Sequence, residues 1–156
     1  MTAERVLDQP GGNIALDLFV LHQHLGALLD AAFEGSGVTA AEYAVYSQLA
    51  QRPRTPRVLC GILGLRPATL SGYLVTLDRR EHIERIPHET DGRSHRVALT
   101  PKGREQTEAC RLRMRRAVRT LNRNLVGDVD EARRTLADID QAIAVATSSI
   151  STLNRR

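Results

Sequence analysis

Arg66 to Gly103, RPATLSGYLVTLDRREHIERIPHETDGRSHRVALTPKG, is the stretch that decides the fold. Pro67 suits the first turn of a helix, where its missing N–H would have no partner. Leu70, Leu74 and Leu77 follow at spacings of four and three and so share one inward face. Thr69, Ser71, Gly72, Tyr73, Thr76 and Arg80 are left for the other sides. Downstream, HIERIPH (His82 to His88) and SHRVALT (Ser94 to Thr100) have the β-branched content and alternation of short strands. ETDGRS between them holds an Asp-Gly turn. The expected unit is a helix followed by a β-hairpin whose tip carries Arg93.

Such a unit suits duplex DNA. Short hydroxyl side chains on an exposed helix face reach base edges or phosphates, although a plain solvated face gives the same pattern. An arginine on a hairpin tip suits the negative potential of a minor groove, and Ser94 and Arg96 lie beside it. Upstream, Thr55 fits a helix cap with Pro56 in the first turn. Arg54, Thr55 and Arg57 then stand at a helix N-terminus, a place that favours phosphate oxygens. Simple capping explains Thr55 equally well. Charge points the same way. The chain is +4 overall, yet Arg52 to Arg104 holds 11 Lys/Arg against 5 Asp/Glu, leaving the rest of the chain net negative. A local positive field attracts a polyanion.

These residues resemble the MarR family of winged helix-turn-helix transcriptional regulators. The resemblance rests on Thr69-Leu70-Ser71, Leu77, Arg85, Asp91-Gly92-Arg93 and Leu99-Thr100-Pro101-Lys102-Gly103. Leu59-Cys60 with Leu63-Gly64-Leu65 adds to it, in the first helix of the helix-turn-helix. Gly72 and Thr76 stand where relatives are commonly basic, Arg66 where a serine cap is common, and Glu81 where a helix-ending glycine is common. The resemblance implies a homodimeric regulator, usually a repressor, that binds a pseudo-palindromic double-stranded operator. It also implies release by a small aromatic or phenolic effector, held where the dimer helices meet the winged unit. His22, Tyr43 and Tyr46 are the candidates for that contact, with core packing as their alternative.

The flanks supply long helices. Asn13 to Phe33 carries Ile14, Leu18, Leu21, Leu25 and Leu28 on one seam. Thr39 with Glu42 fits a capping box, and Val38 with Tyr43 a hydrophobic staple. A further helix is expected from Thr100-Pro101 to about Val126, ended by Gly127. The last helix, capped by Asp128, alternates by three and four through Leu136, Ile139, Ile143, Ala146, Ile150 and Leu153. A seam so sustained needs a partner helix. Expected, then, is a mainly α chain with a small β-hairpin wing. Residues 1–37 and 101–156 are assigned to dimerisation, chiefly through Ile14, Leu18, Leu21, Leu136, Ile139, Ile143 and Ile150. Residues 38–100 form the DNA-binding unit.

Other chemistry finds little support. Two cysteines, Cys60 and Cys110, make no disulfide framework. His22 and His24 are two apart on a helix and point to different sides, so no metal or cofactor is expected. A phosphate loop, a nucleophile elbow and a Cys-x-x-Cys pair are all missing, and no enzymatic activity is expected. No run of about 18 apolar residues suggests a membrane span, and the start of the chain lacks a signal pattern, so a cytoplasmic protein is expected. An architectural DNA binder without effector, and an interaction module that has lost DNA binding, are the rival readings.

Overall fold

The computed structural model describes residues 7, 11–87 and 95–154. Among the described residues six helices and one hairpin follow in the order α1 (Ile14–Phe33), α2 (Ala40–Leu49), α3 (Pro56–Leu63), α4 (Pro67–Arg79), β1 (Ile83–Pro87), β2 (His95–Leu99), α5 (Pro101–Asn124) and α6 (Val129–Leu153). The mainly α fold with a two-stranded wing is the one expected.

Local chemistry sets most of the boundaries. The Asn13 side chain caps α1 by accepting from the Leu16 N–H at 3.0 Å. At α2 the capping box forms in full. The Thr39 N–H donates to Glu42 Oε2 at 2.8 Å, and the Glu42 N–H donates to Thr39 Oγ1 at 3.1 Å. Val38 and Tyr43 are both buried beside it, as a hydrophobic staple requires. Thr55 caps α3 through the Val58 N–H, and Gly64 ends that helix in the left-handed region at φ 62°. The chain then turns by 116° into α4, within the range of helix-turn-helix pairs. Arg66 caps α4 with no side-chain hydrogen bond, leaving Pro67 to set the start.

β1 and β2 pair antiparallel with Ile83 opposite Leu99 and Arg85 opposite Val97. A third segment joins them, since the Arg54 N–H donates to the Val97 carbonyl at 3.1 Å and the Val97 N–H donates back at 2.8 Å. At the wing root, Glu81 adopts φ 61°. Glycine enters that left-handed region freely, while other residues do so at a cost. Gly103 lies against the same root, and a Cβ there would come within 2.0 Å of the His82 carbonyl oxygen.

The core gathers Phe33, Tyr46, Leu59, Leu70, Leu77, Val97 and Cys110. One compact unit ends at Ala117, inside α5, and a second begins at Val118. The sequence places a boundary at residue 100; the compact unit runs past it because Gly103, Thr107, Cys110 and Ala117 of α5 are buried. In the second unit α6 has no buried residue. Leu136, Ile143 and Ile150 are each at least half exposed, with Ile139 half-buried. On α1, Ile14 and Leu21 are exposed and Leu18 is half-buried. By length and composition alone α1, with 20 residues and a mean hydropathy of 1.2 over 18 of them, is long and apolar enough to cross a membrane, as core helices of soluble proteins also are. A search for an unbroken apolar run overlooks it, because Asp17, His22, Gln23, His24 and Asp30 interrupt the series.

Candidate nucleic-acid interface and ligand cleft

The outer face of α4 carries Pro67, Ala68, Thr69, Ser71, Gly72, Val75 and Arg79, all exposed. It is almost neutral. Val75 is 49% exposed and offers a methyl-rich contact, chemistry that suits a thymine methyl in a major groove. Arg79 is the cation on this face, and further arginines flank it. Arg57 is exposed in the first turn of α3, Arg66 is exposed before α4, and Arg85 is exposed on β1. A cleft of about 420 Å³ separates α3, α4 and the wing strands, bordered by Arg57, Cys60, Ser71, Val75, Arg85 and His95. Asp91, Gly92, Arg93 and Ser94, at the expected wing tip, lie outside the described residues, as does His88. Arg96 is half-buried on β2, opposite Ile86.

Several sequence candidates are used inside the protein. Arg54 is a correction. It is buried, its Nε donates to the Gln48 carbonyl at 3.2 Å, and its Nη2 donates to Gln51 Oε1 at 3.0 Å. Its guanidinium holds the C-terminal end of α2, not an external phosphate. The Thr76 hydroxyl donates to the Gly72 carbonyl at 3.1 Å. Arg80 pairs with the buried Glu42 at 3.4 Å, tying the end of α4 to the start of α2. Tyr73 is half-buried and packs against the core. The reason is its spacing: with Leu70, Leu74 and Leu77 it completes the i, i+3, i+4, i+7 face.

A second cleft, about 440 Å³, opens between α1, the start of α2 and α4. Its α1 wall is His22, Leu25, Gly26, Leu29 and Asp30, spaced by three, one, three and one along one helix face. Thr39, Ala40 and Ala41 form the α2 wall, and Tyr73 comes from α4. The volume falls within the usual range for small-molecule sites. Of the three residues singled out for a ligand, only His22 lines it. Tyr43 and Tyr46 are corrected to core residues. Tyr43 packs its ring 5.2 Å from that of Phe33, and Tyr46 shares a 2.6 Å hydrogen bond with Nδ1 of the buried His82. Burial raises both phenol pKa values, opposed by Arg111 at Tyr43 and by Arg80 at Tyr46. The signal for the cleft lay in the spacing along α1, while the contribution of Tyr73 from α4 is seen only in the structure.

Cys110 is fully buried, and burial pushes its thiol pKa up against opposing contributions from Gln106 and Arg113. That environment disfavours the thiolate on which cysteine reactivity depends. Among the described residues no three His, Cys, Asp or Glu side chains converge as a metal site.

A turned helix pair, a neutral outward helix and a hairpin packed beside it define a winged helix-turn-helix protein. No protein-family model and no curated protein matches the sequence. Solved structures do. A probable transcriptional regulator from Pseudomonas aeruginosa is 28% identical, with 86% of this chain and 98% of that one aligned at a TM-score of 0.72. The Mycobacterium tuberculosis regulator MosR, solved in complex with DNA, is 22% identical over 86% of this chain and 98% of its own, with a TM-score of 0.76. MarR from Escherichia coli is 23% identical over 85% and 98%, with a TM-score of 0.66. The fold is therefore that of the MarR-type transcriptional regulators.

Proposed function

We propose that this chain is a homodimeric, sequence-specific DNA-binding transcriptional regulator, a repressor released by a small-molecule effector. The observation that carries the reading is the exposed face of α4, set beside a wing and bordered by Arg57, Arg66 and Arg85. Thr69, Ser71 and Val75 would read base edges, and the flanking arginines would meet phosphates. Arg93 at the wing tip would enter the minor groove. The P. aeruginosa likeness supports a regulator and not an enzyme, and a cytoplasmic location accords with that role.

The apolar seams support the dimer. Ile14, Leu21, Leu136, Ile143 and Ile150 are large apolar side chains left exposed on long helices of one chain. Soluble proteins seldom leave such stripes uncovered, and a second copy would cover them. Two heads would then enter successive major grooves roughly one helical turn apart. The α1–α2–α4 cleft supports the effector, since Tyr73 gives a ligand there a direct contact with the reading helix.

Selection of bound duplexes from a random pool tests the whole reading. The expected outcome is a pseudo-palindrome whose half-sites lie about 10 base pairs apart. Ser71→Ala should alter the preferred sequence more than the overall affinity. Recovery of no sequence preference at low salt would refute specific regulation and favour an architectural binder. Failure to retain any duplex would favour an interaction module.

A further inference from the structure

We propose that the α1–α2–α4 cleft takes a flat apolar ligand bearing a cationic amine, with the Asp30 carboxylate receiving the charge. This rests on the reading of that cleft as the effector site and goes on to name the ligand's chemistry. Leu25, Leu29 and Ala40 supply apolar walls. Among the described residues the lining contains neither lysine nor arginine, and Asp30 is its one residue of fixed charge. Asp30 is exposed, and among the described residues it has no ion pair or hydrogen-bonded partner. Its charge is available to a ligand.

Two further features act in the same direction. Asp30 lies in the last turn of α1, which holds no basic residue. The carbonyl ends of that helix therefore add negative potential where the carboxylate stands. The Tyr73 ring offers a face that attracts cations. The start of α2 forms the opposite wall, and a helix N-terminus ordinarily favours anions. Here its capping box occupies the N–H groups of Thr39 and Glu42 and leaves those of Ala40 and Ala41, while the Glu42 carboxylate in that first turn is paired with Arg80. A ligand carboxylate would lie against Asp30 without a cation in the lining to compensate it.

The test uses the full chain and three probes of matched shape: 2-phenylethylamine, 2-phenylethanol and 3-phenylpropionate. Each is titrated calorimetrically at neutral pH. The amine should bind tightest and the carboxylate weakest, with a ratio of roughly tenfold or more between them. Asp30→Asn should compress that ratio to about threefold, and Asp30→Glu should retain most of it. Because Asp30 is exposed, neither variant should disturb folding. Tighter binding of the carboxylate, or a ratio unchanged in Asp30→Asn, would overturn the amine assignment and leave the cleft as a site for another ligand class. If none of the three probes binds at millimolar concentration, the effector-site reading itself falls, and the assignment with it.

Discussion

Replacing Gly103 with alanine adds one methyl group where the first turn of α5 meets the root of the wing. The new Cβ would stand 2.0 Å from the His82 carbonyl oxygen, 2.9 Å from its carbon and 3.1 Å from its Cα. All three atoms are backbone, so no side chain can swing aside. Either the first turn of α5 or the root of the wing must move by more than an ångström. Such a movement strains three bonds that lock this corner: Thr100 N–H to the His82 carbonyl at 3.1 Å, Thr100 Oγ1 to the Glu81 carbonyl at 2.7 Å, and Gly103 N–H to Thr100 Oγ1 at 3.1 Å. Overpacking of this kind costs roughly 1–3 kcal/mol, and a lost hydrogen bond adds about 1 kcal/mol. The better helix propensity of alanine returns about 1 kcal/mol. The net loss should be about 2 kcal/mol, or roughly 4–8 °C in melting temperature for a chain of this size. Gly72→Ala is the control. Gly72 is also helical, but a Cβ there meets nothing within 4 Å. That variant should melt at or above the wild-type temperature. Circular dichroism melts at one fixed protein concentration would decide, because any dimer makes the midpoint concentration-dependent. A Gly103→Ala protein that melts with the wild type would refute the crossing geometry.

Glu81→Gly should raise stability by about 0.5–1 kcal/mol, since glycine relieves the left-handed conformation, and the ion pair it sacrifices with Lys102 is exposed on both sides; a lower denaturation midpoint would contradict that balance. The His82 pKa is lowered below 6.5, first by burial and then by Lys102 and Arg80, with Glu81 opposing. The unfolded chain therefore binds the proton more readily, so stability present above about pH 6.5 should be lost as pH falls through the lowered folded value. Urea titrations across that window should show the decline, and in His82→Gln the slope should be shallower. Ile143→Glu should leave the single chain folded, because Ile143 is half exposed there, yet should abolish the proposed dimer by burying an unpaired charge. Sedimentation that still finds a dimer would place the interface elsewhere.

Elements fixed by neighbouring residues were legible in the sequence. The capping box at Thr39 and Glu42, the Thr55-Pro56 start and the Asp128 cap all involve partners within a few positions, and each appears in the structure. Arg54 was not legible. Its burial follows from pairing with Val97, 43 positions away, and strand pairing at that distance leaves no trace in local spacing. Tyr43 and Tyr46 illustrate a related difficulty. Residue type made them candidates for a ligand, but α2 buries Glu42, Tyr43, Val45, Tyr46 and Leu49, so it has core on more than one side. A helix buried that broadly has no clear polar stripe from which its orientation can be read. Tyr73 was legible in principle, since its period places it with the leucines; its hydroxyl grouped it with the exposed threonines instead.

The placement of Tyr73 changes how binding in the cleft could reach DNA on the proposed reading. A ligand and an operator would compete for nothing, because the cleft and the outer face of α4 lie on different sides of the helix. Communication must then pass through the position of α4 itself. Arg80 and Glu42 pin the end of that helix to the start of α2, the element that also forms one cleft wall. A ligand wedged between α1 and α2 therefore acts on the same joint that fixes the reading helix. It shifts DNA affinity only if it binds one setting of that joint more tightly than the other. Affinity alone does not make an effector: a probe that fills the cleft without preferring either setting would leave the operator complex intact.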